Sequence, residues 1–205
     1  MPDAVKGVIP MVDGLVIAAG LSSRMGVNKL LLDLEGLPVI RRSVASIAPF
    51  CTKTIVVTGH LEEQVVSALS GVPGILLVHN RSYREGMFSS VKAGLAAVTS
   101  DRCVFLPGDI PLVCPSVTGR LLSCEADIIV PRHEGKAGHP VVFSRKAIDS
   151  ILEGKGFETL RDFIRSRGAE YVDVDCEGIL NDLDTEEDYR SAALYLASRR
   201  REGAC

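Results

Sequence analysis

The chain has 205 residues, 46% of them hydrophobic and 24% charged, with a formal net charge of -3. That length buries a substantial core without disulfide or metal staples, and the composition is too apolar for disorder, so a single globular domain over residues 1–205 is expected. Cations are scattered apart from Arg199, Arg200 and Arg201, and no stretch reaches the roughly 20 apolar residues of a membrane span, so neither nucleic acid nor membrane is an expected partner.

Short apolar runs rich in β-branched residues alternate with stretches of helical periodicity. In chain order the pattern predicts a strand from Gly14 to Ala19, a helix from Val39 to Ile47 after Pro38, and a strand from Thr54 to Thr58. A helix from Leu61 to Leu69, a strand from Ile75 to His79 and a helix from Phe88 to Val98 follow. Next come a strand from Cys103 to Leu106, a helix from Pro115 to Ser123 and a strand from Asp127 to Val130. Strands that are apolar on both faces and each followed by a helix belong to a parallel sheet covered on both sides. The expected fold is therefore α/β: a doubly wound, mostly parallel, Rossmann-like sheet.

Beyond Val130 the alternation loosens. A strand at Pro140 to Phe143, helices near Arg145 to Leu152 and Thr159 to Arg167, and a strand at Tyr171 to Val174 suggest a small antiparallel extension. An acidic turn from Asn181 to Asp184 leads into a helix from Thr185 to Arg199, with Thr185 and Asp188 arranged as an N-cap. Six cysteines (Cys51, Cys103, Cys114, Cys124, Cys176, Cys205) form no CxxC pair and no ligand spacing with histidine. Asp3 and Asp13 bracket the first apolar segment, unlike a signal peptide, so reduced thiols and a cytoplasmic address are expected.

The loop after the first strand, Ala18-Ala19-Gly20-Leu21-Ser22-Ser23-Arg24-Met25-Gly26-Val27-Asn28-Lys29, lies where open α/β sheets bind ligands. Small residues let backbone N–H groups approach an anion, and Arg24 and Lys29 can balance a triphosphate. Neither GxGxxG nor GxxxxGK[ST] is present, which weakens the dehydrogenase and P-loop readings. On spacing alone an ordinary strand-to-helix turn with two solvated cations fits as well. Asp109, in a Gly-Asp-x-Pro turn past a strand, reads either as a turn residue or as a carboxylate for a hard cation.

The loop closely resembles the signature of the molybdenum-cofactor nucleotidyltransferases, cytidylyl and guanylyl. The resemblance continues through Thr58-Gly59-His60, Asn80 with Gly86-Met87-x-Ser89-Ser90, Leu106-Pro107-Gly108-Asp109-Ile110-Pro111, Gly138-His139-Pro140 and Asn181-Asp182-Leu183-Asp184-Thr185. It implies that Gly20, Ser22, Arg24, Gly26 and Lys29 wrap the triphosphate, with Arg24, Lys29 and Asp109 catalytic. It further implies a magnesium ion, Mg²⁺, on Asp109 and on one residue of the acidic turn, for which Asp182 is favoured over Asn181 or Asp184. Base and ribose recognition fall to the Ala18-Ala19 backbone, Thr58, Asn80, Ser89 and Ser90, and His139 falls on the acceptor side.

Ala-Ala-Gly at the loop start is the cytidylyl form, so the resemblance implies transfer of CMP from CTP to a molybdopterin-type acceptor, with a target molybdoenzyme as a transient partner. Gly154-Lys155-Gly156-Phe157-Glu158-Thr159-Leu160-Arg161 departs from the Gly-Asp-x-Gly-Ala-Arg-like run of the cytidylyl relatives. Alternatives are guanylyl transfer, a sugar- or alcohol-phosphate acceptor on the same fold, or a carrier of the finished dinucleotide cofactor.

Overall fold

The computed structural model describes residues 11–20, 28–154 and 156–201. In chain order the elements are β1 (Val12–Ala18), β2 (Asp33–Leu34), β3 (Leu37–Pro38), α1 (Val39–Ile47), β4 (Lys53–Thr58), α2 (Glu62–Ala68), β5 (Ile75–His79), α3 (Met87–Leu95) and β6 (Arg102–Pro107). Then follow α4 (Pro115–Leu122), β7 (Ile128–His133), β8 (Lys136–Ala137), β9 (Val141–Ser144), α5 (Arg145–Glu153), α6 (Leu160–Arg167), β10 (Glu170–Asp173) and α7 (Glu186–Arg201).

An eight-stranded sheet runs in the order β10-β7-β9-β6-β1-β4-β5, with β8 beside β7. β1 pairs in parallel with both β4 and β6, β4 with β5, and β7 with β10. β9 runs antiparallel to both of its neighbours, β6 and β7. The antiparallel part is thus woven into the main sheet as β9, with β8 as its short outrider, while β10 closes the edge in parallel.

The continuous apolar runs are explained by two cores, one on each sheet face. Side chains alternate across a strand, so Leu15 and Ile17 of β1 join Ile55, Val57, Cys103 and Phe105 under α3, α5 and α6. Val12, Val16 and Ala18 face the opposite way and join Val56, Val104 and Leu106 under α1, α4 and α7. Each fully buried large side chain, such as Leu15 or Phe105, contributes about 1.5–3 kcal/mol relative to exposure.

At the starting end of the central strands the buried Asp13 closes the sheet. Its Oδ2 accepts the backbone N–H groups of Thr99 (2.9 Å) and Ser100 (3.2 Å), with Lys53 Nζ at 3.6 Å. The sequence pattern did not anticipate the β2–β3 hairpin. Its two-residue turn, Glu35-Gly36, takes positive φ at both positions (55° and 84°), as tight hairpin turns require. The Tyr189 hydroxyl donates to the Asp33 carbonyl and ties this hairpin to α7. No helix among the described residues is long and apolar enough to cross a membrane.

Candidate active site

Open α/β sheets bind ligands beyond the carboxyl ends of their strands, where the strand order reverses. Here the chain moves outward from β1 through β4 to β5 and then returns to β6 on the other flank of β1, which puts that point between β1 and β6. The turn after β6 is pinned to it. Gly108 donates its N–H to the Ile17 carbonyl at 2.9 Å, and its own carbonyl accepts the buried Ser43 hydroxyl at 2.7 Å. A Cβ on Gly108 would stand 2.7 Å from the Ile17 oxygen, so only glycine lets the two strand ends meet this closely. Asp109 is fixed at the same edge.

β9 brings a second set of groups to that edge because it runs backwards. Its first residue, Val141, sits opposite Phe105 near the end of β6, so the preceding Gly138-His139-Pro140 arrives where the parallel strands finish. His139 donates its N–H to the Ile179 carbonyl at 2.9 Å, and Leu183 donates its own to the Asp109 carbonyl at 3.0 Å. Those two bonds stitch the acidic turn to both strand ends.

Lys29 closes the constellation. The Asn28 side chain accepts the Leu30 N–H at 3.2 Å, starting a single turn that buries Leu30 and turns Lys29 toward the acids. Lys29 Nζ lies 2.6 Å from Asp109 Oδ2 and 2.7 Å from Asp184 Oδ1, the latter 155 positions away in sequence. Burial by itself would lower the lysine pKa, but the Asp109 and Asp184 carboxylates more than offset it, and the ammonium is held above its ordinary value. Asp182 is held above the usual carboxylate range, first by burial and then by the negative charges of Asp109 and Asp184. Asp184 is placed by the start of α7: Asp188 Oδ2 accepts the N–H groups of Asp184 (3.1 Å) and Thr185 (2.7 Å), the expected cap.

The His139 ring stands edge-on to Phe105 with centroids 5.6 Å apart, and its buried Nδ1 has no hydrogen-bond partner. Burial pushes its pKa down to about 4 despite the nearby Asp109 charge, so the imidazole is neutral at physiological pH.

The expected nucleotide residues divide into groups. Ala18 and Ala19 are buried, while Gly20 is exposed. The buried Thr58 donates to Glu62 Oε1 at 2.7 Å. Asn80 Nδ2 donates to Ser89 Oγ and Ser90 Oγ, each at 2.9 Å, and its Oδ1 accepts the Ser82 N–H at 2.9 Å. Asn80, Ser89 and Ser90 therefore order the segment before α3 as one hydrogen-bonded unit. Gly59 lies under Tyr83, where a Cβ would meet the Tyr83 Cβ at 2.7 Å. Ser22, Arg24 and Gly26 lie outside the described residues.

Residues 14–172 match the family model of the MobA-like NTP transferase domain. The chain belongs to this family. It is 29% identical over 182 residues to the molybdenum cofactor cytidylyltransferase of Escherichia coli (strain K12), an alignment covering 88% of this chain and 95% of that one. It is 28% identical over 143 residues to the molybdenum cofactor guanylyltransferase of Vibrio cholerae, covering 67% and 68%. Among solved structures it resembles a nucleotidyl transferase from Methanothermobacter with a TM-score of 0.79 and 25% identity, covering 92% of this chain and 99% of that one. Like its relatives, this member of the MobA-like family is a nucleotidyltransferase.

Ser43 was not singled out from the sequence, and Asp184 was named only behind Asp182. Ser43 lies mid-helix in α1, and nothing local signals that its hydroxyl reaches 65 positions on to Gly108. Asp184 stood among the candidates of the acidic turn, but its contact with Lys29 depends on the turn folding back across the sheet edge.

Proposed function

We propose that residues 1–205 form one nucleotidyltransferase domain that moves CMP from CTP onto a molybdopterin-type acceptor and releases pyrophosphate. The observation that carries this reading is the contact of Lys29 with Asp109 and Asp184, which joins the phosphate loop to two carboxylates at the switch point of the sheet. The choice of CTP rests on Ala18-Ala19-Gly20 and on the long alignment with the Escherichia coli cytidylyltransferase.

The carboxylates are hard oxygen donors of the kind Mg²⁺ takes together with substrate phosphates, so the residues fit that ion. Asp109 with Asp182 or Asp184 would hold it, and it would supply neutralisation of phosphate charge. In the transfer, an acceptor phosphate oxygen bonds to the α-phosphorus as the bond from that phosphorus to the oxygen bridging to the β-phosphate breaks, and pyrophosphate leaves with that bridging oxygen. A phosphate nucleophile is already ionised at neutral pH, so no general base is needed. Lys29, with Arg24, neutralises the charge growing on the departing pyrophosphate and thereby favours the transition state over the ground state. His139, neutral and with Nδ1 unpartnered, offers a hydrogen bond on the acceptor side.

The test is pyrophosphate release from molybdopterin, Mg²⁺ and either CTP or GTP. The reading expects release with CTP and little with GTP; preference for GTP would reassign the base, as the Vibrio cholerae relative suggests. Release from sugar phosphates alone would overturn the acceptor.

A further inference from the structure

One carboxylate oxygen of Asp109 and one of Asp184 are already in contact with a cation. Lys29 Nζ touches Asp109 Oδ2 and Asp184 Oδ1 at once, with only 16% of its side chain exposed. The backbone beneath it is fixed by the Asn28 cap and by buried Leu30, so the four-carbon stem is the part free to move. A divalent ion entering this pair must displace the ammonium. An ammonium displaced in a half-buried place needs another anion, because an unpaired buried charge is costly. The triphosphate would supply it.

We propose that Lys29 is the resident counter-ion of Asp109 and Asp184 in the nucleotide-free chain, and that it is exchanged for a divalent metal only when a nucleoside triphosphate arrives to receive it. The proposal rests on the functional reading above and adds a binding order to it. Metal and nucleotide then bind with strong positive coupling, and linkage makes the coupling reciprocal: each tightens the other by the same factor. Lys29 carries that coupling, since it faces carboxylates in one state and phosphates in the other. The same residue thus keeps the acidic pair closed before the substrate is present.

The experiment titrates the purified chain with Mn²⁺, counting the free ion by electron paramagnetic resonance, with and without CTP and against a blank of CTP alone. Wild type is expected to bind Mn²⁺ weakly by itself and much more tightly with CTP. Lys29→Met and Lys29→Gln, both shown by circular dichroism to be folded, should bind Mn²⁺ without nucleotide about ten-fold more tightly than wild type and gain correspondingly less from CTP. Adding Asp109→Asn to Lys29→Met should abolish the gain. If CTP tightens Mn²⁺ through Asp109 but neither Lys29 variant binds the nucleotide-free ion better than wild type, the exchange is overturned and the functional reading survives. If CTP leaves Mn²⁺ affinity unchanged in wild type and in Asp109→Asn alike, the functional reading itself falls and the exchange falls with it.

Discussion

Leu183 donates its backbone N–H to the carbonyl oxygen of Asp109 at 3.0 Å, so the acidic turn hangs on the very residue whose carboxylate it faces. Asp182 and Asp184 flank that anchor, and only Asp184 reaches Lys29, at 2.7 Å. The two acids are therefore unequal. Asp184→Asn should lower turnover by about ten- to a hundred-fold, and Asp182→Asn by less, as expected for removing one group of an electrostatic cluster. Pyrophosphate release under saturating nucleotide measures this, and an inverted ranking would return the favoured role to Asp182.

Gly108 is the position where sterics and chemistry meet. An added methyl would press on the Ile17 carbonyl at 2.7 Å, and the turn would shift Asp109 away from Lys29. Gly108→Ala should cost about 1–3 kcal/mol of stability and also reduce kcat. Ser43→Ala, which removes only the 2.7 Å hydrogen bond to the Gly108 carbonyl, should cost about 1 kcal/mol and affect kcat less. Urea unfolding beside steady-state kinetics separates the two effects.

The half-buried His139, whose imidazole Nδ1 is shut off from water, makes folding sensitive to acid. Burial holds its folded pKa at about 4 against an ordinary 6.5, so between those values the unfolded chain binds the extra proton. Stability contributed by His139 is complete above pH 6.5 and is lost as the pH falls toward 4. The whole window is worth at most about 3 kcal/mol. Unfolding free energies at pH 7.5 and pH 5 should differ more for wild type than for His139→Gln, and equal differences would show that the ring is hydrated.

Asp13 lies at the opposite end of β1 from the site, and its role is to hold the backbone of Thr99 and Ser100. Asp13→Ala leaves the buried Ser100 N–H, the part-buried Thr99 N–H and the Lys53 ammonium without this partner, a loss of about 2–4 kcal/mol. Thermal unfolding should show it, while kcat measured well below the melting temperature should stay at the wild-type value.

Much of this molecule could be read from the chain, for identifiable reasons. The strands from Val12 to Ala18, Lys53 to Thr58 and Arg102 to Pro107 are apolar on both faces, and that continuous pattern belongs to strands buried between helix layers. That Lys29 and Asp109 lie near the same edge of the sheet was legible because one belongs to the segment after β1 and the other to the turn after β6, and those strands are parallel neighbours. What resisted was long-range placement. Residues 140–143 look like any half-buried strand, and their sequence does not say that they enter the main sheet backwards between β6 and β7. That Asp184 rather than Asp182 touches Lys29 depends on how the turn hangs from Asp109, which periodicity cannot reveal.

The reversed course of β9 also bears on how such a chain can diversify. A parallel strand can change what it presents at the site only in the loop that follows it, and that loop must also launch the next crossover. β9 presents its beginning instead, and the residues before it, from Arg132 to His139, form a short ribbon through β8 that carries no crossover helix. Length and charge at the exposed tip of that ribbon, residues 134–137, can drift without touching the His139–Ile179 bond, the Lys29 contacts or the parallel ladder of β1, β4 and β6. One end of the sheet edge can thus vary while the part that holds Lys29 and Asp109 stays fixed.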